Sequence, residues 1–238
     1  MKRGIITIDG SFGEGGGQIL RTALALSSLL GVGVRIEKIR ARRRNPGLAP
    51  QHLTCVEAAA EICGARVDGA GIGSKELTFI PGEIKPGRYL FDVARKRPSA
   101  GSVSLVFQAI YLPLALSGGK SEVIIRGGTH VPWSPPAHYL QRVFSPIASR
   151  FGLKLNLEVL RWGFYPKGGG EIKAIIYPSK LTSVSISDRG SLIRVRGFSA
   201  CARLPISIAE RQREAVMQLS LIHISEPTRL GMSSYAVF

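Results

Sequence analysis

The sequence predicts an α+β fold built from two tandem βαβαββ repeats. Segments with strand-like alternation and segments with helical spacing follow one another in the same order twice, with a period of roughly 85 residues. Local letters also repeat: LALSSLLGVGVRIEKIR parallels LPLALSGGKSEVIIRGG, and LAPQHLTCVEAA parallels SPPAHYLQRVFS. An apolar content of 45% in 238 residues is sufficient for a substantial core.

The first repeat is predicted over residues 1–83. Glycines end both of its helices, since Gly31 and Gly64 can adopt the left-handed conformation of a helix C-terminus. Pro50 suits the first turn of the second helix. The elements, in the order strand, helix, strand, helix, strand, strand, are predicted at residues 4–9, 18–30, 32–40, 50–63, 65–67 and 77–80.

The second repeat is predicted over residues 84–180. Pro113 and Pro146 fall within its two helices, where we expect kinks or early ends. The stretch YPKGGGEI follows one strand and enters the next, which favours a hairpin turn. In the same order as before, the elements are predicted at residues 89–93, 101–116, 121–127, 136–151, 153–160 and 170–177.

The last part of the chain differs from the repeats. Residues 181–218 are predicted to contain a strand, SLIRVRGFSA, and a charged helix over residues 205–218. From Leu219 onward, the first eleven residues resemble the translation of a common transposase sequencing adapter. We therefore predict that residues 219–238 are a non-native tail and that the natural protein continues beyond Gln218. The alternative is a genuine C-terminal segment.

The composition argues against a membrane or secreted protein. No run of about 18 apolar residues is present, and the N-terminus MKRGIITIDG lacks the apolar core of a signal peptide. We expect no membrane partner and a cytoplasmic location. The odd number of cysteines, Cys55, Cys63 and Cys201, lacks metal-type spacing and predicts reduced, half-buried thiols.

The charge is large and clustered. The chain has 32 Lys and Arg against 16 Asp and Glu, a formal net charge of +16. Such an excess is typical of proteins with a polyanionic partner, such as RNA, DNA or nucleotides, the alternative being a basic protein without one. Clustering favours the partner, because RIEKIRARRR contains a single acid. Its basic residues are Arg35, Lys38, Arg40, Arg42, Arg43 and Arg44.

A glycine-rich stretch, SFGEGGGQILRT, connects the first strand to the first helix. It matches neither the dinucleotide fingerprint, since Gln18 occupies the third glycine position, nor the P-loop, which requires a lysine. Glycines before a helix nevertheless expose backbone N–H groups at the positive end of the helix dipole. Glu14 is then either a cap of that helix or a ligand of a divalent metal that bridges phosphates.

Five motifs in order resemble the RNA 3′-terminal phosphate cyclase family over residues 4–218. They are DGSFGEGGGQILRTALALS, IRARRRNPGLAPQHLTCVEAAAEICGA, SAGSVSLVFQ, GGTHVPWSPPAHYL and GFYPKGGGEI. The resemblance implies a repeat fold similar to the C-terminal domain of a translation initiation factor and to carboxyvinyl transferases. It also implies that residues 181–218 are the start of a small inserted α/β domain.

The resemblance implies an ATP-dependent reaction that needs Mg²⁺ or Mn²⁺. In the family, a histidine attacks the α-phosphate of ATP to form enzyme–AMP. AMP then passes to an RNA 3′-phosphate, and the vicinal 2′-OH displaces it to form a 2′,3′-cyclic phosphate. Positioning and neutralisation of phosphate charge provide most of the acceleration in such steps. The expected partners are ATP and RNA with a 3′-phosphate end.

The family motifs assign roles to seven residues. Glu14 is the expected metal and ATP-site carboxylate, and Gln108 the nucleotide-contacting amide. The expected phosphate and RNA residues are Arg21, Arg40, Arg43, Gln51 and His52. The structural alternatives are a solvated helix face for Arg21, a helix-start residue for Gln51 and a core amide for Gln108. His130 and His138 are predicted to be surface or cap histidines.

The nucleophilic histidine of the family lies in its last repeat, which we expect beyond Gln218, and His223 belongs to the predicted tail. We therefore expect this chain to be an inactive fragment of the enzyme. Two alternatives are a non-catalytic cyclase-like RNA-binding protein of ribosome biogenesis and a carboxyvinyl transferase. The phosphate-site residues favour the enzyme over the first, and the charge of +16 argues against the small-acid substrate of the second.

Overall fold

The computed structural model describes residues 4–188, 190–191 and 197–224, with side chains in the last helix described up to residue 219. The chain divides into two compact units, Met1–Val184 and Ser185–Phe238. Within the described residues, no helix combines the length and the apolar character that a membrane span requires.

The first repeat forms a four-stranded sheet with two helices. Strand β1 pairs with β2 in parallel, and the remaining pairs are antiparallel, giving the order β1-β2-β4-β3. Both helices end on a glycine in the left-handed conformation, Gly31 and Gly64, as predicted. The elements are β1 Ile6–Asp9, α1 Gly17–Leu30, β2 Val34–Glu37, α2 Pro50–Cys63, β3 Arg66–Asp68 and β4 Leu77–Ile80.

The second repeat has the same topology. Its sheet order is β5-β6-β8-β7, again with the first two strands parallel and the others antiparallel. The elements are β5 Arg88–Asp92, α3 Val103–Ala115, β6 Ser121–Gly127, α4 Ala137–Tyr139, α5 Ser145–Arg150, β7 Lys154–Arg161 and β8 Gly170–Tyr177. The predicted tandem βαβαββ fold is confirmed. The predicted hairpin is confirmed too, because β7 and β8 are antiparallel neighbours.

Pro146 affects its helix as predicted, whereas α3 continues past Pro113 to within one residue of its predicted end. A π-helical segment, Leu140–Phe144, separates α4 from α5, and Pro146 is the second residue of α5. Proline has no N–H to donate to the preceding turn, which explains the irregular turn before it. Helix α3 ends at Ala115, two residues after Pro113.

One apolar core joins the repeats. Helix α3 packs against α1 and α2 and also against strands β6 and β8 of its own sheet. Side chains from both repeats are fully buried there, including Leu24, Ile62, Phe79, Phe107 and Ile110. Burial of each such side chain contributes about 1.5–3 kcal/mol, so the helices hold their N-terminal turns in fixed positions.

The cysteines are free, as predicted, but two of them are more deeply buried than expected. Cys55 and Cys63 are fully buried on α2, whereas Cys201 is partly exposed. Burial raises the pKa of Cys55 to about 12, so its thiol remains protonated.

The second unit contains helix α6, Ile206–Ile224. This helix begins close to the predicted residue 205 and continues past Leu219, where the non-native tail is predicted to start. Of the predicted strand over residues 191–200, residues 192–196 lie outside the described part of the chain. The boundaries predicted for the repeats, the inserted domain and the tail stay predictions.

Candidate phosphate site

The site lies where the first parallel strand pair ends. The glycine-rich loop, residues 10–16, follows β1, and the arginine-rich loop, residues 38–49, follows β2. Because β1 and β2 are parallel, both loops leave the same end of the sheet. Carboxyl ends of parallel strands are common ligand sites for this reason.

The glycine-rich loop leaves the first turn of α1 without a side-chain cap. Gly13 and Gly15 have positive φ angles of 58° and 55°, which glycine adopts without steric cost. Gly16 is the N-cap residue and offers no side-chain acceptor to the backbone N–H groups of the first turn. Free N–H groups and the helix dipole together favour an anion at this position.

Two arginines of the arginine-rich loop bind the glycine-rich loop. Arg42 Nη1 donates to the Gly13 carbonyl at 2.7 Å, and Arg43 Nη2 pairs with Glu14 Oε2 at 2.9 Å. A Cβ atom at Gly16 would lie 2.9 Å from Arg43 Nη2, so glycine allows this close approach. The predicted phosphate cation Arg43 therefore lies at the N-terminus of α1.

Glu14 does not cap the helix in this structure. Its side chain is 88% exposed, and it forms an ion pair with Arg43. Among the described residues, no group of three or more His, Cys, Asp and Glu side chains is arranged to hold a metal. One exposed carboxylate still fits a Mg²⁺ ion whose other ligands are water and substrate phosphates.

Arg40 holds the arginine-rich loop in shape. Its φ angle is +54°, and Nη1 donates to the carbonyls of Asn45 and Gly47 at 2.9 and 2.8 Å. Burial and the neighbouring charge of Arg43 lower the pKa of Arg40, in that order of importance. Two guanidinium groups near each other, without a carboxylate for Arg40 among the described ion pairs, favour a bound anion.

Arg21 and Gln108 contact each other, although the sequence separates them by 87 positions. Arg21 Nε donates to Gln108 Oε1 at 2.9 Å, and Arg21 Nη2 donates to Gln18 Oε1 at 3.0 Å. Arg21 is only 6% exposed, so it is not on a solvated helix face. Among the described residues it has no ion-pair partner, and burial lowers its pKa. A buried, uncompensated guanidinium favours an anionic ligand.

His52 packs directly on the first residue of α1. A Cβ atom at Gly17 would lie 2.2 Å from His52 Nε2 and 3.0 Å from Arg21 Nη1. Burial, then Arg40, then Arg21, lowers the pKa of His52 to about 3, so the ring is neutral at pH 7. Its Nδ1 atom is buried without a hydrogen-bond partner in the described structure. His52 is thus a neutral wall of the site.

Gln51 faces the second repeat. Its Oε1 atom accepts a hydrogen bond of 2.7 Å from the backbone N–H of Ser102, the N-cap residue of α3. The Gln51 side chain therefore binds at the N-terminus of α3 rather than that of α1. Spacing within the sequence contained no signal for this orientation.

The prediction of surface or cap positions for His130 and His138 is wrong for His130. His130 is 5% exposed, and its Nε2 atom lies 2.8 Å from Nδ1 of the half-buried His138. Thr129 Oγ1 lies 2.8 Å from the other nitrogen of His130, and Trp162 and Phe164 pack on its ring. Burial, then His138, lowers the pKa of His130 to about 4. His130 is buried despite its polar sequence context because Trp162 and Phe164, in the loop between β7 and β8, pack on its ring.

Comparison with known proteins shows the family. The family model described as RNA 3′-terminal phosphate cyclase matches residues 12–227. That match extends past Leu219, the first residue of the predicted tail.

Curated relatives with the name RNA 3′-terminal phosphate cyclase cover most of this chain. The protein from Methylococcus capsulatus is 50% identical over 212 residues, which are 87% of this chain and 59% of the relative. The protein from Ignicoccus hospitalis is 49% identical over 216 residues, 90% of this chain and 60% of the relative. The protein from Nostoc sp. is 47% identical over 211 residues, which are 87% of this chain and 61% of the relative. The chain therefore spans about three fifths of these relatives, and it belongs to the RNA 3′-terminal phosphate cyclase family.

Proposed function

We propose that this chain is part of an ATP-dependent RNA 3′-phosphate cyclase of the ligase class. The complete enzyme would convert an RNA 3′-phosphate to a 2′,3′-cyclic phosphate through enzyme–AMP and RNA–adenylate intermediates, in the cytoplasm. The family model and the names of the relatives support the cyclase activity. The charge of +16 supports RNA as the partner.

The observation that carries the proposal is the buried Arg21. Its guanidinium lies beside the uncapped first turn of α1 and has no carboxylate partner among the described residues. Burial of an uncompensated charge costs several kcal/mol, so a stable site of this kind favours a permanent anionic ligand or a substrate anion. A phosphate group satisfies both the guanidinium and the backbone N–H groups.

Each residue of the site is assigned a proposed role from its position. Arg43 and Arg40 are proposed to bind the terminal phosphate of RNA, with His52 excluding water on one side. Arg21, oriented by Gln108, is proposed to bind phosphates of ATP. Glu14 is proposed to hold Mg²⁺ or Mn²⁺, which when bound would neutralise phosphate charge. Gln51 is proposed to influence RNA binding indirectly, through its hydrogen bond to Ser102 at the start of α3.

None of the four histidines of this chain is proposed to be the nucleophile. Nδ1 of the buried His52 has no hydrogen-bond partner among the described residues, and His130 and His138 contact each other. We expect no covalent AMP adduct when the 238-residue chain is incubated with labelled ATP and a divalent metal. A labelled band on a denaturing gel would contradict this proposal.

Binding to RNA ends tests the proposed function. The chain should bind an RNA with a 3′-phosphate more tightly than the same RNA with a 3′-hydroxyl, and Arg43→Ala should weaken the first complex about tenfold or more. Arg66→Ala is the matched control, because Arg66 follows the far end of α2 and is exposed. Equal affinity for both RNA ends would overturn the proposal.

A non-catalytic RNA-binding protein remains the alternative function. Such a protein needs no buried phosphate site, so the position of Arg21 favours the enzyme. The discriminating measurement is ATP binding with a divalent metal: the enzyme requires it, and Arg21→Ala should abolish it. RNA binding without any ATP binding would favour the alternative.

A further inference from the structure

A second basic segment lies outside the phosphate site. Residues 94–98, here called the basic loop, have the sequence ARKRP and follow strand β5. All five residues are exposed. Lys96 forms an ion pair with Glu57, whereas the side chains of Arg95 and Arg97 have no partner among the described residues. The loop therefore presents two uncompensated guanidinium groups to solvent.

The basic loop lies against the first half of α2. Arg95 and Lys96 face Thr54 and Glu57 across a narrow cleft. Asp92 fixes the start of the loop, since its carboxylate accepts the Ala94 N–H at 2.8 Å. Arg95 and Lys96 are thus held beside one face of the helix.

The same half of α2 contacts the phosphate site. His52 packs on Gly17 at the start of α1, and Gln51 binds the Ser102 N–H at the end of the segment that contains the basic loop. The five helical steps from His52 to Glu57 span about 8 Å at ~1.5 Å per residue. Because each stacked step advances a strand by ~3.4 Å, a few nucleotides of RNA cover that distance. One RNA strand can therefore reach both regions.

We propose that the basic loop binds backbone phosphates of the RNA within a few nucleotides of its 3′ end. The inference rests on the proposed function, which places the 3′-phosphate at Arg40 and Arg43. Exposed cations that bind a strand release its counterions and bind without regard to base sequence. The loop would add affinity that grows with RNA length, whereas the phosphate site recognises the end.

RNA length tests the proposal. Affinities are measured for 3′-phosphate RNAs of about two and about eight nucleotides at several salt concentrations. The triple variant Arg95→Gln, Lys96→Gln, Arg97→Gln should weaken binding of the long RNA about tenfold. It should change binding of the short RNA by less than about twofold and lower the salt slope for the long RNA by about 2. Unchanged binding of the long RNA would overturn the proposal.

The matched control removes the same charge elsewhere. Lys85, Arg88 and Lys120 are exposed at the opposite ends of strands β5 and β6, so their replacement by Gln should leave length dependence intact. Equal loss in both triple variants would show that net charge alone matters and would overturn the proposal. A circular-dichroism melt checks folding, which exposed substitutions should not change.

The same measurements with 3′-hydroxyl RNAs separate the two proposals. If the 3′-phosphate preference is absent but the triple variant still loses length dependence, the proposed function fails and the basic loop stands. If the preference is present without any effect of the triple variant, the proposed function stands and the basic loop is overturned.

Discussion

The loop that precedes the first helix differs from the corresponding loop of the second repeat. In the first repeat, the N-cap residue of α1 is Gly16, without a side-chain cap. In the second, the N–H of the α3 N-cap residue Ser102 binds Gln51 at 2.7 Å, and its hydroxyl lies 2.6 Å from that of Ser104. One helix start is open to a ligand, and the other is closed by the protein itself.

The corresponding histidines show the same contrast. Nδ1 of His52 in the first repeat is buried without a partner in the part of the chain that the structure describes, whereas Nδ1 of His138 in the second lies 2.8 Å from His130. Buried polar groups are normally paired, so an unpaired one indicates a functional position. The two units share one sheet topology, and the pairing of a few polar atoms distinguishes the start of α1 from the start of α3.

Lowering the pH should destabilise the fold through both histidines, and this is the largest expected effect. Their folded pKa values, about 3 for His52 and about 4 for His130, lie below the ordinary 6.5. The stability they provide is complete above pH 6.5 and is lost as the pH falls, down to about pH 4 for His130 and about pH 3 for His52. The loss should be roughly 3 kcal/mol for His130 and roughly 5 kcal/mol for His52, measured by urea unfolding across pH.

Single variants assign that pH dependence. His130→Gln should remove much of the loss between pH 6.5 and 4, while His52→Asn should flatten the curve further down, to about pH 3. The wild type serves as reference because the carboxylates titrate equally in all three proteins. Parallel curves of unfolding free energy against pH for the wild type and both variants would show that neither histidine is held neutral in the folded protein.

Filling the open helix start should have the next largest effect. Gly17→Ala places a Cβ atom 2.2 Å from His52 Nε2, so the ring must move. We expect a loss of about 1–3 kcal/mol in unfolding free energy and weaker binding of 3′-phosphate RNA. Gly71→Ala is the control, because no atom lies within 4 Å of its added Cβ. An unchanged affinity of Gly17→Ala for 3′-phosphate RNA would show that the RNA does not bind at the start of α1.

Opening the closed helix start should have a smaller effect. Gln51→Ala removes the acceptor of the Ser102 N–H and should cost about 1 kcal/mol in thermal or urea unfolding. Gln51→Glu keeps an acceptor and adds a charge that suits the helix N-terminus, so stability should be retained. The added charge should nevertheless weaken RNA binding. Equal stability of all three proteins would show that this hydrogen bond does not contribute measurably to the free energy of unfolding.

Removing the acid of the first loop should have the smallest effect on stability. Glu14→Gln breaks an exposed ion pair and should change unfolding free energy by less than about 0.5 kcal/mol. Metal-free binding of 3′-phosphate RNA should tighten a few-fold, since Arg43 is released. Glu76→Gln, which breaks the similar exposed pair with Arg35, is the control. Weaker metal-free binding in Glu14→Gln would refute this role.

Much of the fold was predictable because local signals agree with it. Gly31, Gly64 and Pro50 stand at helix ends where their backbone preferences require them, and the repeated order of elements predicted two equal sheets. The site was predictable in part. The pairing of Glu14 with Arg43 joins two motifs that the sequence had already marked, but the orientation of Gln51 had no local signal.

The sequence by itself determined the elements, the duplication and the charge, because these depend on neighbouring residues and on composition. Only the tertiary structure decided which polar groups are paired. The Arg21 contact with Gln108, the closure of α3 by Gln51 and the burial of His130 all join residues distant in sequence. Desolvation and hydrogen bonding depend on such neighbours, so the packing of the two repeats left the start of α1 open and closed the start of α3 with a side chain of the protein.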